Sequence, residues 1–145
     1  MKHLHDESTR AAPDSLLFSL LGAAHALEAR IEETLGSIGL SMAKQGVLSL
    51  LADNGEPMSL SDLAARQQCV RSNITQLVDR LEADGLVRRI ADPADRRSVR
   101  AQLTPQGEDR QTAGAARVEI VQAAFMAALP PADRSALERI LSGLG

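Results

Sequence analysis

Aromatic residues are nearly missing from this chain: it has no Trp and no Tyr, and Phe18 and Phe125 are its only phenylalanines. That composition argues against a small-molecule site walled by aromatic rings. The single cysteine, Cys69, excludes an intramolecular disulfide. None is needed, because a domain of this size buries roughly 68 to 70% of the surface its unfolded chain exposes. The opening MKHLHDESTR lacks the apolar core of a secretory signal. No apolar run approaches the ~20 residues that span a bilayer, since even VEIVQAAFMAAL is broken by Glu119 and Gln122. A soluble, cytoplasmic protein with no membrane partner is expected. Also missing are a cluster of His, Cys or carboxylates, a phosphate-cradling glycine loop and a Ser/His/Asp arrangement, so neither an enzyme nor a bound metal or cofactor is expected.

The net charge of -3 argues against a general polyanion binder. The average hides a patch, however. Residues 66 to 100 hold eight Arg against five acids, a net +3, and the rest of the chain is net -6. Within this window DGLVRRIADPADRRSVRAQLT sets Arg88/Arg89 and Arg96/Arg97 on either side of a proline-containing turn. Guanidinium groups suit bidentate contacts to phosphate or guanine better than ammonium groups do.

Pro13 and Asp14 make a plausible helix start after a disordered tail, 1–12, and apolar residues from Leu17 to Ile38 recur at helical spacing until Gly39. Ser41 can cap a second helix that ends at Asp53, Asn54 and Gly55. Ser59 and Asp62 resemble a capping box opening a third. The pattern breaks at about Gln68 to Val70 and resumes at Ile74, Leu77, Val78 and Leu81, with Gly85 as the stop; two helices joined by a tight turn make a helix-turn-helix. LVRRI and SVRAQL alternate in the manner of strands around ADPADRR, predicting a two-stranded hairpin. Thr104 and Pro105 then start a long helix to about Ala128, and Pro130 and Pro131 separate it from a short final one. The expected fold is mainly α with a small β-hairpin wing: one domain over 13–145, with a winged helix-turn-helix at 41–104 and dimerisation helices at 13–40 and 105–145. LLFSLLGAAHAL and VEIVQAAFMAAL are apolar over more than one stripe, and a second subunit would explain the surplus.

The first turns of an exposed helix in a helix-turn-helix reach base edges in a major groove. Here they offer Arg71, Ser72, Asn73, Thr75 and Gln76. Arg71 suits guanine or phosphate, and Asn73 and Gln76 carry the donor and acceptor that read adenine. Arg80, further along, suits phosphate or an anchor for the wing. The hairpin would place Arg96 and Arg97 in a narrow groove, with Asp92 and Asp95 as counter-charges holding the arginine fork in shape. The bland alternatives are a solvated turn for the arginines and ordinary surface polarity for Asn73 and Gln76.

At these residues the chain resembles the MarR family of bacterial transcriptional regulators. The resemblance runs nearly full length and is carried by GLSMAKQGVLSLLADNG, LVDRLEADGLVRR, DPADRRS and LTPQG. It implies a recognition helix at 70–84, Asp95 and Arg97 as the wing's structural acid and minor-groove arginine, and a dimer interface shared by the two chain ends. It further implies a homodimer on a pseudo-palindromic duplex, its recognition helices roughly 34 to 36 Å apart, acting as a repressor released by a small molecule. Departures are Gln68 where a glycine is usual, Val70 where Ser or Thr caps, Ala94 where a charge is common, and Gln45 where an aromatic residue is frequent.

Phe18, His25, Met42 and Gln45 are the candidates for an effector pocket, although His25 reads more readily as a satisfied interface histidine and Met42, like Met126, is best taken as packing. Cys69 is read as a small apolar plug in the turn rather than a redox switch. His3, His5 and Asp6 lie in the tail and are read as solvated. Two rival functions remain: a winged-helix module for protein contact, and a constitutive DNA binder without an effector.

Overall fold

The computed structural model describes residues 13–67 and 73–145. Its elements run α1 (Pro13–Gly36), α2 (Met42–Asn54), β1 (Met58–Ser59), α3 (Leu60–Arg66), α4 (Ile74–Ala83), β2 (Val87–Ala91), β3 (Val99–Leu103), α5 (Pro105–Ala127) and α6 (Pro131–Ser142). The tail, Cys69 and the expected turn at Gln68 to Val70 lie outside the described residues, as do Arg71 and Ser72.

The caps read from the sequence set the helix starts. Ser41 Oγ accepts from the Lys44 amide at 3.1 Å, Ser59 Oγ from Asp62 at 3.1 Å, and Thr104 Oγ1 from Gly107 at 2.9 Å. Each satisfies an amide that the first helical turn would otherwise leave open. Two boundaries differ from expectation. The first helix ends at Gly36, and Gly39 takes its left-handed φ of 74° in the following turn. The expected two-stranded hairpin is a three-stranded antiparallel sheet in the order β1-β3-β2, because Met58 and Ser59 pair with Ala101 and Arg100. Val87 to Ala91 pair with Leu103 to Val99 in the other ladder.

The core lies almost entirely in the winged lobe. Val47, Leu48 and Leu51 of α2 meet Leu63 of α3, Leu77, Val78 and Leu81 of α4, and Leu86, Val87 and Ala101 at the sheet. Each such side chain contributes about 1.5–3 kcal/mol by leaving water. The outer helices share little of this. α1 supplies Leu35 to the buried cluster, α5 buries Val121, and α6 buries no residue. Leu16, Leu17, Phe18, Leu20 and Leu21 of α1 and Ile120, Ile140 and Leu141 of α5 and α6 stay exposed.

The winged lobe meets α5 without a side-chain layer at one point. The Leu86 carbonyl accepts from Thr104 at 3.1 Å, Thr104 Oγ1 donates to the Gly85 carbonyl at 2.7 Å, and a Cβ at Gly107 would collide with the Leu86 carbonyl. Only glycine allows the first turn of α5 to sit against the root of β2.

Candidate nucleic-acid interface

α4 is amphipathic at helical spacing. Leu77, Val78 and Leu81 are buried, whereas Thr75, Gln76, Asp79 and Arg80 are exposed on the other side. The helix is shorter than the expected 70–84, starting at Ile74 behind Asn73. Asn73 is its N-cap: Oδ1 accepts from the amides of Thr75 at 3.0 Å and Gln76 at 3.3 Å. This engages the oxygen that a bidentate adenine contact would need, which corrects the reading of Asn73 as a free adenine reader. Gln76 and Thr75 keep their side chains in solvent at the first turn.

The wing tip is shaped by its acids in a way the sequence did not reveal. Asp92 Oδ1 accepts from the Ala94 amide at 2.9 Å and Asp92 Oδ2 lies 3.1 Å from Arg100 Nε. Asp95 Oδ1 accepts from the Arg97 amide at 3.0 Å, and the Asp95 carbonyl accepts from the Ser98 amide at 3.0 Å. These are short-range turn bonds of the kind Asp forms readily. The expected pairing of Asp92 and Asp95 with the Arg96 and Arg97 guanidinium groups is therefore corrected: Asp92 pairs with Arg100, and Asp95 holds backbone. The bond to the Ala94 amide keeps the Asp92 carboxyl below its ordinary range, burial opposing this and Arg100 adding to it. Arg96 and Arg97 are exposed, and among the described residues no ion pair or side-chain hydrogen bond engages either guanidinium.

The other arginine pair behaves differently. Arg88 Nη2 donates to Gln102 Oε1 at 2.9 Å across the sheet. Arg89 turns toward α4: Nη2 lies 2.6 Å from Asp79 Oδ1 and 3.3 Å from the Thr75 carbonyl, and Nη1 lies 3.1 Å from Glu82 Oε1. Its own amide donates to Glu82 Oε2 at 2.8 Å. Burial opposes the Arg89 charge, but Asp79 and then Glu82 outweigh it and hold the guanidinium above its ordinary value. Arg89, not Arg80, anchors the wing. Arg80 is exposed and, among the described residues, engages no acid. Strand alternation carried a signal for this, since Arg89 shares a face of β2 with buried Val87.

The four expected pocket residues lie on two helices, Phe18 and His25 on α1 and Met42 and Gln45 on α2. Phe18 is 68% exposed, and His25 is exposed 3.6 Å from Glu28 on its own helix. Met42 packs beside the core. Gln45 is buried between α2 and α5, where Nε2 donates to the Gln111 carbonyl at 3.1 Å and to Ser49 Oγ at 3.3 Å, while Oε1 faces Gly114 without a partner. A cleft of about 330 Å³ opens instead among Leu51, Pro57, Leu103, Glu108 and Gln111, and none of the four borders it. Among the described residues no group of three or more His, Cys, Asp or Glu could hold a metal, and no helix is long and apolar enough to cross a membrane.

The family model described as MarR family matches residues 40–99. The HTH-type transcriptional regulator FarR of Neisseria gonorrhoeae is 31% identical over 100 residues, covering 69% of this chain and 68% of that protein. Against other curated relatives the match spans less, between 35% and 46% of their length for three Bacillus subtilis regulators. Among solved structures, the MarR family regulator Sco3205 of Streptomyces coelicolor, in complex with DNA, superposes with a TM-score of 0.79 at 28% identity, covering 90% of this chain and 84% of that one. Bordetella bronchiseptica BpsR, whose DNA binding is regulated by 6-hydroxynicotinic acid, superposes with a TM-score of 0.75 at 28% identity, covering 90% and 98%.

Proposed function

The chain belongs to the MarR family, and from that premise we propose that it is a transcriptional regulator that binds a pseudo-palindromic DNA duplex as a cytoplasmic homodimer. One observation carries the reading: the solvent face of α4, with Thr75, Gln76 and Arg80, stands beside a wing tip whose Arg96 and Arg97 are committed to no partner among the described residues. Groups already engaged with acids are poor phosphate ligands, whereas these lose only water on meeting DNA. Gln76 supplies a donor and an acceptor for a base edge, Arg80 suits phosphate, and Arg96 and Arg97 suit a narrow groove. Asp95 is the structural acid that fixes the Arg97 backbone. Arg71 and Ser72 stay in the proposed interface on their sequence position alone. Asn73 enters as the cap that orients α4.

Repression relieved by a small molecule is the proposed mode of control, supported by the likeness to BpsR, whose DNA binding a small molecule regulates. A constitutive binder is the second reading, favoured by the exposure of Phe18 and His25 on α1 and by a cleft that none of the four pocket candidates borders. The test is duplex affinity measured across salt concentration. Log affinity should fall steeply with log salt, by about 0.9 per phosphate contact. A flat dependence would sink the DNA-binding reading in favour of a protein-contact module. Ligands that release the selected duplex would then separate an inducible repressor from a constitutive one.

A further inference from the structure

Arg89 lies in the basic window, yet its side chain is three-quarters withdrawn from solvent and its guanidinium faces α4, not the wing tip. It is the junction of two elements that must meet a duplex together. Asp79 and Glu82 project from α4, Thr75 offers its carbonyl from the first turn of that helix, and the Arg89 amide belongs to β2. The four contacts span α4 from its first turn to its last and tie it to the root of the wing. They also offset part of the local negative charge, because Asp79 and Glu82 would otherwise set two bare carboxylates beside a polyanion. A planar fork can serve Asp79, Glu82 and a carbonyl at once, which a single ammonium cannot.

We propose that Arg89 is a positioning residue for DNA reading, a clamp that fixes α4 and the wing as one rigid unit and offsets part of the charge of Asp79 and Glu82, without touching the duplex itself. The inference rests on the DNA-binding function proposed above.

The test compares wild type, Arg89→Lys, Asp79→Asn and Arg97→Ala on two probes, a duplex selected by the wild-type protein from a random pool and a shuffled duplex of equal length, each across a salt series. For Arg89→Lys the ratio of selected to shuffled affinity should fall roughly tenfold, about the cost of one misplaced base contact, with the salt slope unchanged. Arg97→Ala should instead flatten the slope by about 0.9. A slope that flattens for Arg89→Lys would make Arg89 a phosphate ligand and overturn the proposal. An unchanged ratio for folded Arg89→Lys would overturn it too. Thermal unfolding accompanies each protein. Should Arg89→Lys not fold, Asp79→Asn removes one arm of the clamp at an exposed position and should lower the ratio in the same direction; an unchanged ratio there is equally fatal. A wild type that selects no duplex removes the function reading itself, whereas a selective wild type with an indifferent Arg89→Lys removes this inference alone.

Discussion

Arg97 supplies charge at the wing tip while Asp95 and Asp92 supply its shape, and the roles separate on substitution. Arg97→Ala should weaken duplex binding and leave dimerisation intact, because the Asp95 bond is made to the Arg97 backbone and survives loss of the side chain; equal mobility-shift affinity would refute the role. Asp92 predicts a pH dependence. Its carboxyl is held below the ordinary carboxylate range, so the stability it contributes is fully present above that range and is lost as pH falls through the lowered value. Thermal midpoints of wild type and Asp92→Asn should therefore lie furthest apart near neutrality and converge in acid, and a gap independent of pH would contradict the assignment. At this scale the sequence was only partly legible. It marked Arg96, Arg97 and Asp95 through their turn, but Arg80 and Arg89 look alike as letters, and which of them meets Asp79 depends on how β2 lies against α4.

The element with the most at stake is α4, a helix of 10 residues with Asn73 as its N-cap. Asn73→Ala removes the acceptor for two amides, so stability should drop by about 1 kcal/mol and operator affinity should drop further than for a substitution at Glu138, an exposed position of α6. Chemical denaturation and mobility shift on the same variant check both parts. Helices were the legible elements, because Leu77, Val78 and Leu81 repeat at a period that only a helix buries on one side. β1 was not. A strand of two residues has no period to detect, and Met58–Ser59 is a strand only because Ala101 and Arg100 run alongside it. The pocket residues were legible only to the level of their helices, since spacing puts Phe18 and His25 on α1 but says nothing of what α1 faces.

On the scale of the molecule, one lobe is packed and the two chain ends are not. The exposed apolar residues of α1, α5 and α6 leave part of the about 1.5–3 kcal/mol of full burial unrealised at each large side chain, which is the physical case for a second copy. Leu21→Glu should convert a dimer to a monomer in sedimentation velocity without unfolding the winged lobe, because Leu21 lies outside the buried cluster; a variant sedimenting like wild type would move the interface elsewhere. The surplus of apolar residues at the ends was legible in the sequence, but their fit to a partner is not, being a matter of shape. Where the long fifth helix touches the wing, at Gly107, backbone lies on backbone. Such a joint has no compliant cushion of rotatable side chains to absorb a tilt. A side chain at Gly107 could therefore be admitted only by moving the start of α5 away from the base of the hairpin.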